Sequence, residues 1–419
     1  MVKKLFLLFL IAATAAGFAG CSLFYDGNGG NEKNKDIYAY PKTLNLDRGR
    51  LSVLPEYNGY STDTFQVDLR SYDLTALELK DRLNDLMHSD FDNKTKWPYI
   101  LPKGFDPKRI IEYGKNPGLG INELHKAGID GRGVGVAIIG GPVLADHTEY
   151  KKQLKLYKEL NFTSRNASPE GTAAASVLAG GTTGVSPGVD LYYVAVRPES
   201  NDESGSAAGD GNSEENNSQL SGAVDWIAGF NESLPVDNRI RVLCIQKEIT
   251  TGDKDYPVIM ESVKKAAAQG IFVVSTISDR LYDSEICFKG LGREALSDPD
   301  TQTFYLPGKS WENSFYTFGR YMPSSNTLFV PSDSRCTASP TGKRDYAFYP
   351  VSDWNLYLPY AAGLYALAWQ VKPGITPEEF MDRALKTGDA LEIVNKNINY
   401  TYKLKNIVNP TRLAQALKE

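Results

Sequence analysis

Imidazole and thiol are scarce in this chain. Its 419 residues include three histidines (His88, His125, His147) and four cysteines (Cys21, Cys244, Cys287, Cys336). That is too little imidazole for a hidden metal cluster, so no metal and no cofactor are expected. No glycine-rich loop follows a strand at phosphate-binding spacing, so nothing points to a nucleotide. The net charge is only −5, which gives no support for a nucleic-acid partner. The apolar stretch from Leu5 to Ala16 is too short to cross a bilayer comfortably.

The N-terminus does carry an export pattern. Lys3-Lys4 precede the apolar stretch, and small residues lead to Cys21, the order of a secretory signal. Phe18-Ala19-Gly20-Cys21 resembles a bacterial lipobox, with Phe18 in place of the usual leucine. The resemblance implies that residues 1–21 are a lipoprotein signal peptide and that Cys21 becomes a lipidated N-terminus. A plain secretory signal and an uncleaved anchor are the alternatives. Each buried acyl methylene contributes about 0.8 kcal/mol, so a protein with several chains stays on its membrane. Residues 22–36, rich in Gly, Asn, Lys and Asp, read as a flexible tether. The expected location is the cell envelope, lipid-anchored and facing the periplasm or the exterior.

Further along, strands and helices alternate. Val134 to Ile139 and Arg241 to Ile245 are continuous apolar runs, the pattern of parallel strands buried on both faces. Pro257 to Gln269 has helical spacing with Gly270 as its stop signal, and Ile271 to Ser275 reads as the next strand. This predicts an α/β fold with a doubly wound, mostly parallel sheet and helices on both faces.

Three blocks give the pattern a name. Gly131 to Ile139 runs without a gap into Gly140-Gly141-Pro142-Val143-Leu144-Ala145-Asp146-His147. It resembles the subtilase (subtilisin-like serine peptidase) strand that ends at the catalytic aspartate, with His147 at a structural histidine. Glu170-Gly171-Thr172 through Gly180, then Gly184-Val185-Ser186-Pro187, resembles the family's His-Gly-Thr helix and the turn after it. Leu358-Pro359-Tyr360-Ala361-Ala362-Gly363 resembles the helix that follows the nucleophilic serine. The resemblance implies a subtilisin-like domain over residues 126–419.

Subtilase chemistry needs a hydroxyl nucleophile, an imidazole base and a carboxylate to orient it. At those positions the alignment places Asn355, Glu170 and Gly140, and at the oxyanion asparagine it places Asp279. An ionised aspartate repels a developing oxyanion. In subtilisin, loss of serine or histidine alone costs about 10⁶ in turnover. The strand edge that lines the substrate cleft reads Gln246-Lys247-Glu248 in place of small residues. These exchanges imply a catalytically inactive member, a pseudoprotease, acting in protein or peptide binding or in envelope assembly. The alternative is an active serine-type endopeptidase. Sedolisins share the fold and use glutamate and aspartate where this chain has Glu170 and Asp279, but they also need an aspartate where Ala174 stands and a serine where Asn355 stands. A shift of register would place Ser352 at the nucleophile position, against the ungapped run into Pro359.

Simpler roles stay open for the same residues: Glu170 or Asn355 as helix caps and Asp279 as an ordinary loop acid. Residues 37–125, with a helix expected over Thr75–Met87, resemble the N-terminal extension of certain secreted bacterial subtilases and are expected to pack on the main domain. Residues 199–219 form an acidic, low-complexity loop too polar to bury, with weak calcium binding as a minor alternative. The weakly periodic stretch from Phe288 to Tyr349 is rich in aromatics, which either pack in the core or form a carbohydrate-type recognition surface. Pro373 to Thr387 reads as a terminal helix. Cys244 is expected in the core, and a Cys287–Cys336 bridge is permitted in an exported protein but not required.

Overall fold

The computed structural model describes residues 36–59, 64–197, 218–282, 285–318, 324–351, 354–395 and 398–419. Cys21 with its signal segment, nearly all of the tether and acidic loop, and Ser352 lie outside the described residues. In chain order the strands are β1 (Asp36–Ile37), β2 (Phe91–Asp92), β3 (Gly135–Gly140), β4 (Leu154–Glu159), β5 (Asp190–Ala195), β6 (Ile240–Ile245) and β7 (Phe272–Val274). They continue as β8 (Cys287–Arg293), β9 (Tyr305–Pro307), β10 (Thr327–Pro331), β11 (Arg335–Ala338), β12 (Tyr346–Tyr349), β13 (Asp389–Asn395) and β14 (Tyr400–Ile407).

The central sheet has the order β1-β4-β5-β3-β6-β7, and every pair in it is parallel. Because side chains alternate along a strand, each central strand feeds two cores. Val136, Ile138, Tyr193, Val242 and Cys244 join the Pro169–Ala179 and Tyr357–Val371 helices in one apolar cluster. Ala137, Ile139, Val194, Leu243 and Ile245 join the Ser218–Ser233 and Tyr256–Ala268 helices in another. Helices therefore cover both faces, which is why the strands read as unbroken apolar runs. At roughly 1.5–3 kcal/mol per fully buried large aliphatic side chain, these two layers are the main source of stability.

The Pro169–Ala179 helix lies so close to the end of β3 that a Cβ on Gly171 would sit 2.2 Å from the Gly141 carbonyl oxygen. Only glycine fits there. The close approach brings the start of this helix to the C-terminal edge of the sheet, the edge where ligands bind in open α/β folds.

Several expectations need correction. The helix expected over Thr75–Met87 is confined to Leu83–Met87. Asp73 Oδ1 accepts from the Thr75 N–H (3.0 Å) and hydroxyl (2.6 Å), a local bond that diverts the backbone from the helix. The terminal helix starts at Pro377, capped by the Thr376 hydroxyl, because Gly374 turns the chain through a φ of +86°. The Phe288–Tyr349 stretch contributes to two further sheets, β13-β14-β10-β8-β9 and β11-β12-β2. Its strands β10 and β11 are buried throughout, so no alternation was visible.

Residues 37–125 share a core with the main body. Val67, Leu69, Phe91, Phe105 and Ile110 pack with Cys336 and Phe348, and β2 pairs antiparallel with β12. The described residues all fall within one compact unit, Lys35–Glu419.

Candidate functional site

Gly140 is the last residue of β3, paired on one side with Ala195 of β5. The space its side chain would need is taken. A Cβ on Gly140 would meet the Tyr193 hydroxyl at 2.6 Å and Gln246 Cβ at 3.3 Å. Tyr193 rises from the middle of β5, fully buried, and its hydroxyl donates to the Gly141 carbonyl at 2.9 Å. Burial, with the negative charge of Glu170 as the next cause, pushes that phenol well above its ordinary range. It is a neutral donor to that carbonyl. Gln246 follows β6 and is 1% exposed. Its backbone N–H donates to the Ile139 carbonyl at 2.8 Å and its side-chain amide to the Trp354 carbonyl.

Glu170 is the second residue of the Pro169–Ala179 helix and is half-buried. It does not cap that helix. Ser168 does, its hydroxyl accepting from the Gly171 N–H at 3.0 Å. Glu170 occupies the first turn, where the helix dipole favours an acid. Its Oε2 lies 3.9 Å from the point where a Gly141 Cβ would sit, so it does reach the edge of the sheet beside β3. Ala174, one turn on, is buried, and no second carboxylate shares that face of the helix.

Asn355 precedes the Tyr357–Val371 helix, but the N-cap is Leu356 and no side chain caps the helix. Asn355 takes a left-handed backbone, φ +49°, a conformation asparagine tolerates better than most residues. The neighbouring Trp354 ring packs on Tyr349 at 4.8 Å and on Phe65 at 5.8 Å. Phe65 belongs to the N-terminal extension, so the extension lies against the loop that carries Trp354 and Asn355. It is held there by Arg70, which is 4.9 Å from the Phe65 ring and forms two 2.8 Å bonds to the Asp68 carboxylate. Burial would raise the Asp68 carboxyl, but the bond and charge of Arg70, with Arg48, outweigh it and hold it below the usual range.

Asp279 does not line a buried oxyanion site. It is exposed, in the first turn of the short Ser278–Leu281 helix. The expected cleft edge also differs from its sequence reading: Gln246 is buried, Lys247 half-buried and Glu248 exposed, so only the last two face outward. Of the positions singled out in the sequence, Gly140 and Gln246 are buried, Glu170 is half-buried beside the end of β3, and Asp279 is exposed.

His147 is a packing residue. It is fully buried, its Nε2 donates to the Asp345 carbonyl at 2.9 Å and its Nδ1 accepts from the Glu149 N–H at 3.2 Å. Burial lowers its pKa, which keeps the ring neutral. Sequence reasoning missed the neighbouring Glu149, whose buried carboxylate accepts from the Thr182 N–H (2.8 Å) and hydroxyl (2.7 Å) and from the Tyr346 hydroxyl. Nothing in the sequence marks an acid whose partners lie in distant turns.

The three described cysteines, Cys244, Cys287 and Cys336, are unbridged, so the permitted Cys287–Cys336 bridge is not formed. Cys287 and Cys336 stand on β8 and β11, in different sheets. Burial pushes the Cys336 thiol up to about 12 and raises those of Cys244 and Cys287, which makes all three poor nucleophiles. Among the described residues of the Phe288–Tyr349 stretch, Phe288, Tyr305, Trp311, Phe315, Phe329, Phe348 and Tyr349 are buried, while Phe304 is 46% exposed. Among the described residues no group of three or more His, Cys, Asp or Glu could hold a metal, and no helix is long and apolar enough to cross a membrane.

No family model and no curated protein matches the chain. Among solved structures it is similar to the prenylagaramide maturation protease PagA, at 14% identity and a TM-score of 0.45 over 71% of this chain and 98% of that one. It is also similar to a cold-adapted subtilisin-like serine proteinase, at 19% identity and a TM-score of 0.41 over 67% of this chain and 90% of that one. Both scores are below 0.5, so the fold assignment rests on the chain's own strand order and two-faced helix packing.

Proposed function

We propose that this chain is a lipid-anchored, extracytoplasmic protein of subtilisin-like architecture that no longer hydrolyses peptides and instead binds a protein or peptide in the cell envelope. One observation carries the loss of hydrolysis: the place of the orienting carboxylate is filled by the Tyr193 hydroxyl and Gln246. Without that acid an imidazole at the next position has nothing to fix its tautomer, and the next position is Glu170 in any case. The segment just after β6, where Lys247 is half-buried and Glu248 exposed, is where an extended ligand would meet the protein, and the anchor at Cys21 would keep the protein at a membrane.

The test is labelling with a fluorophosphonate, which reacts with activated serines, read by intact mass. The reading expects no adduct on the folded protein. A stoichiometric adduct mapped to Ser352 would restore an active endopeptidase and retire the binding role.

A further inference from the structure

We propose that the loop Trp97–Pro102 and the basic residues around it form a contact surface for anionic lipid membranes. The loop is built to hold two apolar side chains out in solvent. Its base is fixed: the Trp97 ring lies 5.3 Å from Phe91 and 5.2 Å from Phe105, and Pro102 is buried, its carbonyl accepting from the Phe105 N–H at 3.1 Å. Between these supports Tyr99 is 102% exposed and Ile100 64% exposed. A third apolar side chain, Leu83, is 38% exposed and borders the same turn at Gly104.

Basic residues outnumber acids along the chain around the loop. Residues 94–109 contain Lys94, Lys96, Lys103, Lys108 and Arg109 against a single acid, Asp106, in a chain whose overall charge is −5. Asp106 is engaged locally, its carboxylate accepting from the Lys108 and Arg109 N–H groups at 3.1 Å each. Lys94 and Lys96 are paired with Asp345 and Asp73. Lys103 and Lys108 are exposed, and no ion-pair partner is found for either among the described residues.

A tyrosine and an isoleucine flanked by cations match the interfacial zone of a bilayer. The apolar groups enter the acyl boundary while lysines reach headgroup phosphates. A stable protein partner needs on the order of 1,000 Å² of complementary surface, far more than this narrow tip offers. The three-ring base means that little order is lost on contact. The inference does not depend on Cys21, because the loop belongs to the body itself.

The experiment is vesicle co-sedimentation of residues 35–419, the compact unit that contains all three apolar cores, at low salt. Phosphatidylcholine vesicles are compared with vesicles that also contain phosphatidylglycerol. The body should sediment with the anionic vesicles. Lys103→Gln with Lys108→Gln should weaken that binding about tenfold or more, from about fivefold per cation, and Tyr99→Ser with Ile100→Ser should weaken it about tenfold or more. Both double variants change exposed side chains and should unfold as the parent does. Absence of binding by the folded parent, binding indifferent to both variants, or capture of an acidic protein by this loop without vesicle binding would each overturn the proposal. None of these results bears on peptide hydrolysis.

Discussion

An aspartate placed at position 140 should damage the protein and confer no hydrolysis. In Gly140→Asp the new Cβ would sit 2.6 Å from the Tyr193 hydroxyl and 3.3 Å from Gln246 Cβ, the first distance being shorter than real Cβ contacts allow. Tyr193 cannot swing away, because its ring is fully buried and its hydroxyl is bonded to Gly141. Overpacking of this kind costs about 1–3 kcal/mol. The buried carboxylate adds a desolvation penalty that it avoids only by staying protonated. A total loss of about 3 kcal/mol is expected in urea unfolding at neutral pH, shrinking as pH falls below the raised carboxyl pKa, since only the charged form is penalised. The decisive arm is a double-mutant cycle with Tyr193→Phe. That change removes the oxygen in the way, at a cost of about 1 kcal/mol for its hydrogen bond. The double variant should therefore lose about 1–2 kcal/mol less than the sum of the single losses. Additivity to within about 0.5 kcal/mol would mean that Tyr193 does not occupy the carboxylate's place, and the argument for lost hydrolysis would lose its basis.

Two further outcomes follow from the same geometry. The Asp68 carboxyl is held below its ordinary range by Arg70 and Arg48, so its contribution is present above the unfolded-state carboxyl pKa and is lost as pH falls through the depressed folded value. Asp68→Asn should cost about 3 kcal/mol at neutral pH and flatten the acid limb of the stability profile; an unchanged acid limb would contradict the assigned pairing. The three cysteines of the body are unbridged, so reduction should leave its intact mass unchanged. A thiol reagent should label them fully only after denaturation, and a two-dalton gain on reduction would refute this.

Much of the central sheet was legible because it is buried on both faces: β3, β6 and β7 announce themselves as unbroken apolar runs. The second sheet was not, because β8 carries two glycines, its partner β9 is only three residues long, and its partner β10 is buried throughout, without alternation. The Thr75–Met87 helix failed for a local reason, since the Asp73 carboxylate competes for the backbone. At the site, the empty side chain of Gly140 was readable from the sequence. Its occupation by Tyr193 was not, because a tyrosine on the second neighbouring segment of chain becomes a neighbour only once β3 and β5 pair. Asp279 and Gln246 illustrate the converse. Their alignment is plausible, yet one ends up exposed and the other buried, because alignment fixes position along the chain and not the direction of a side chain.

The most direct test of the account is digestion of a diverse peptide library by residues 35–419, analysed by mass spectrometry from acid to neutral pH, with Glu170→Ala purified in parallel. The account predicts no cleavage at any pH beyond what the variant preparation shows. Cleavage by the parent that disappears in Glu170→Ala would contradict it and assign hydrolysis to the carboxylate at the start of the Pro169–Ala179 helix.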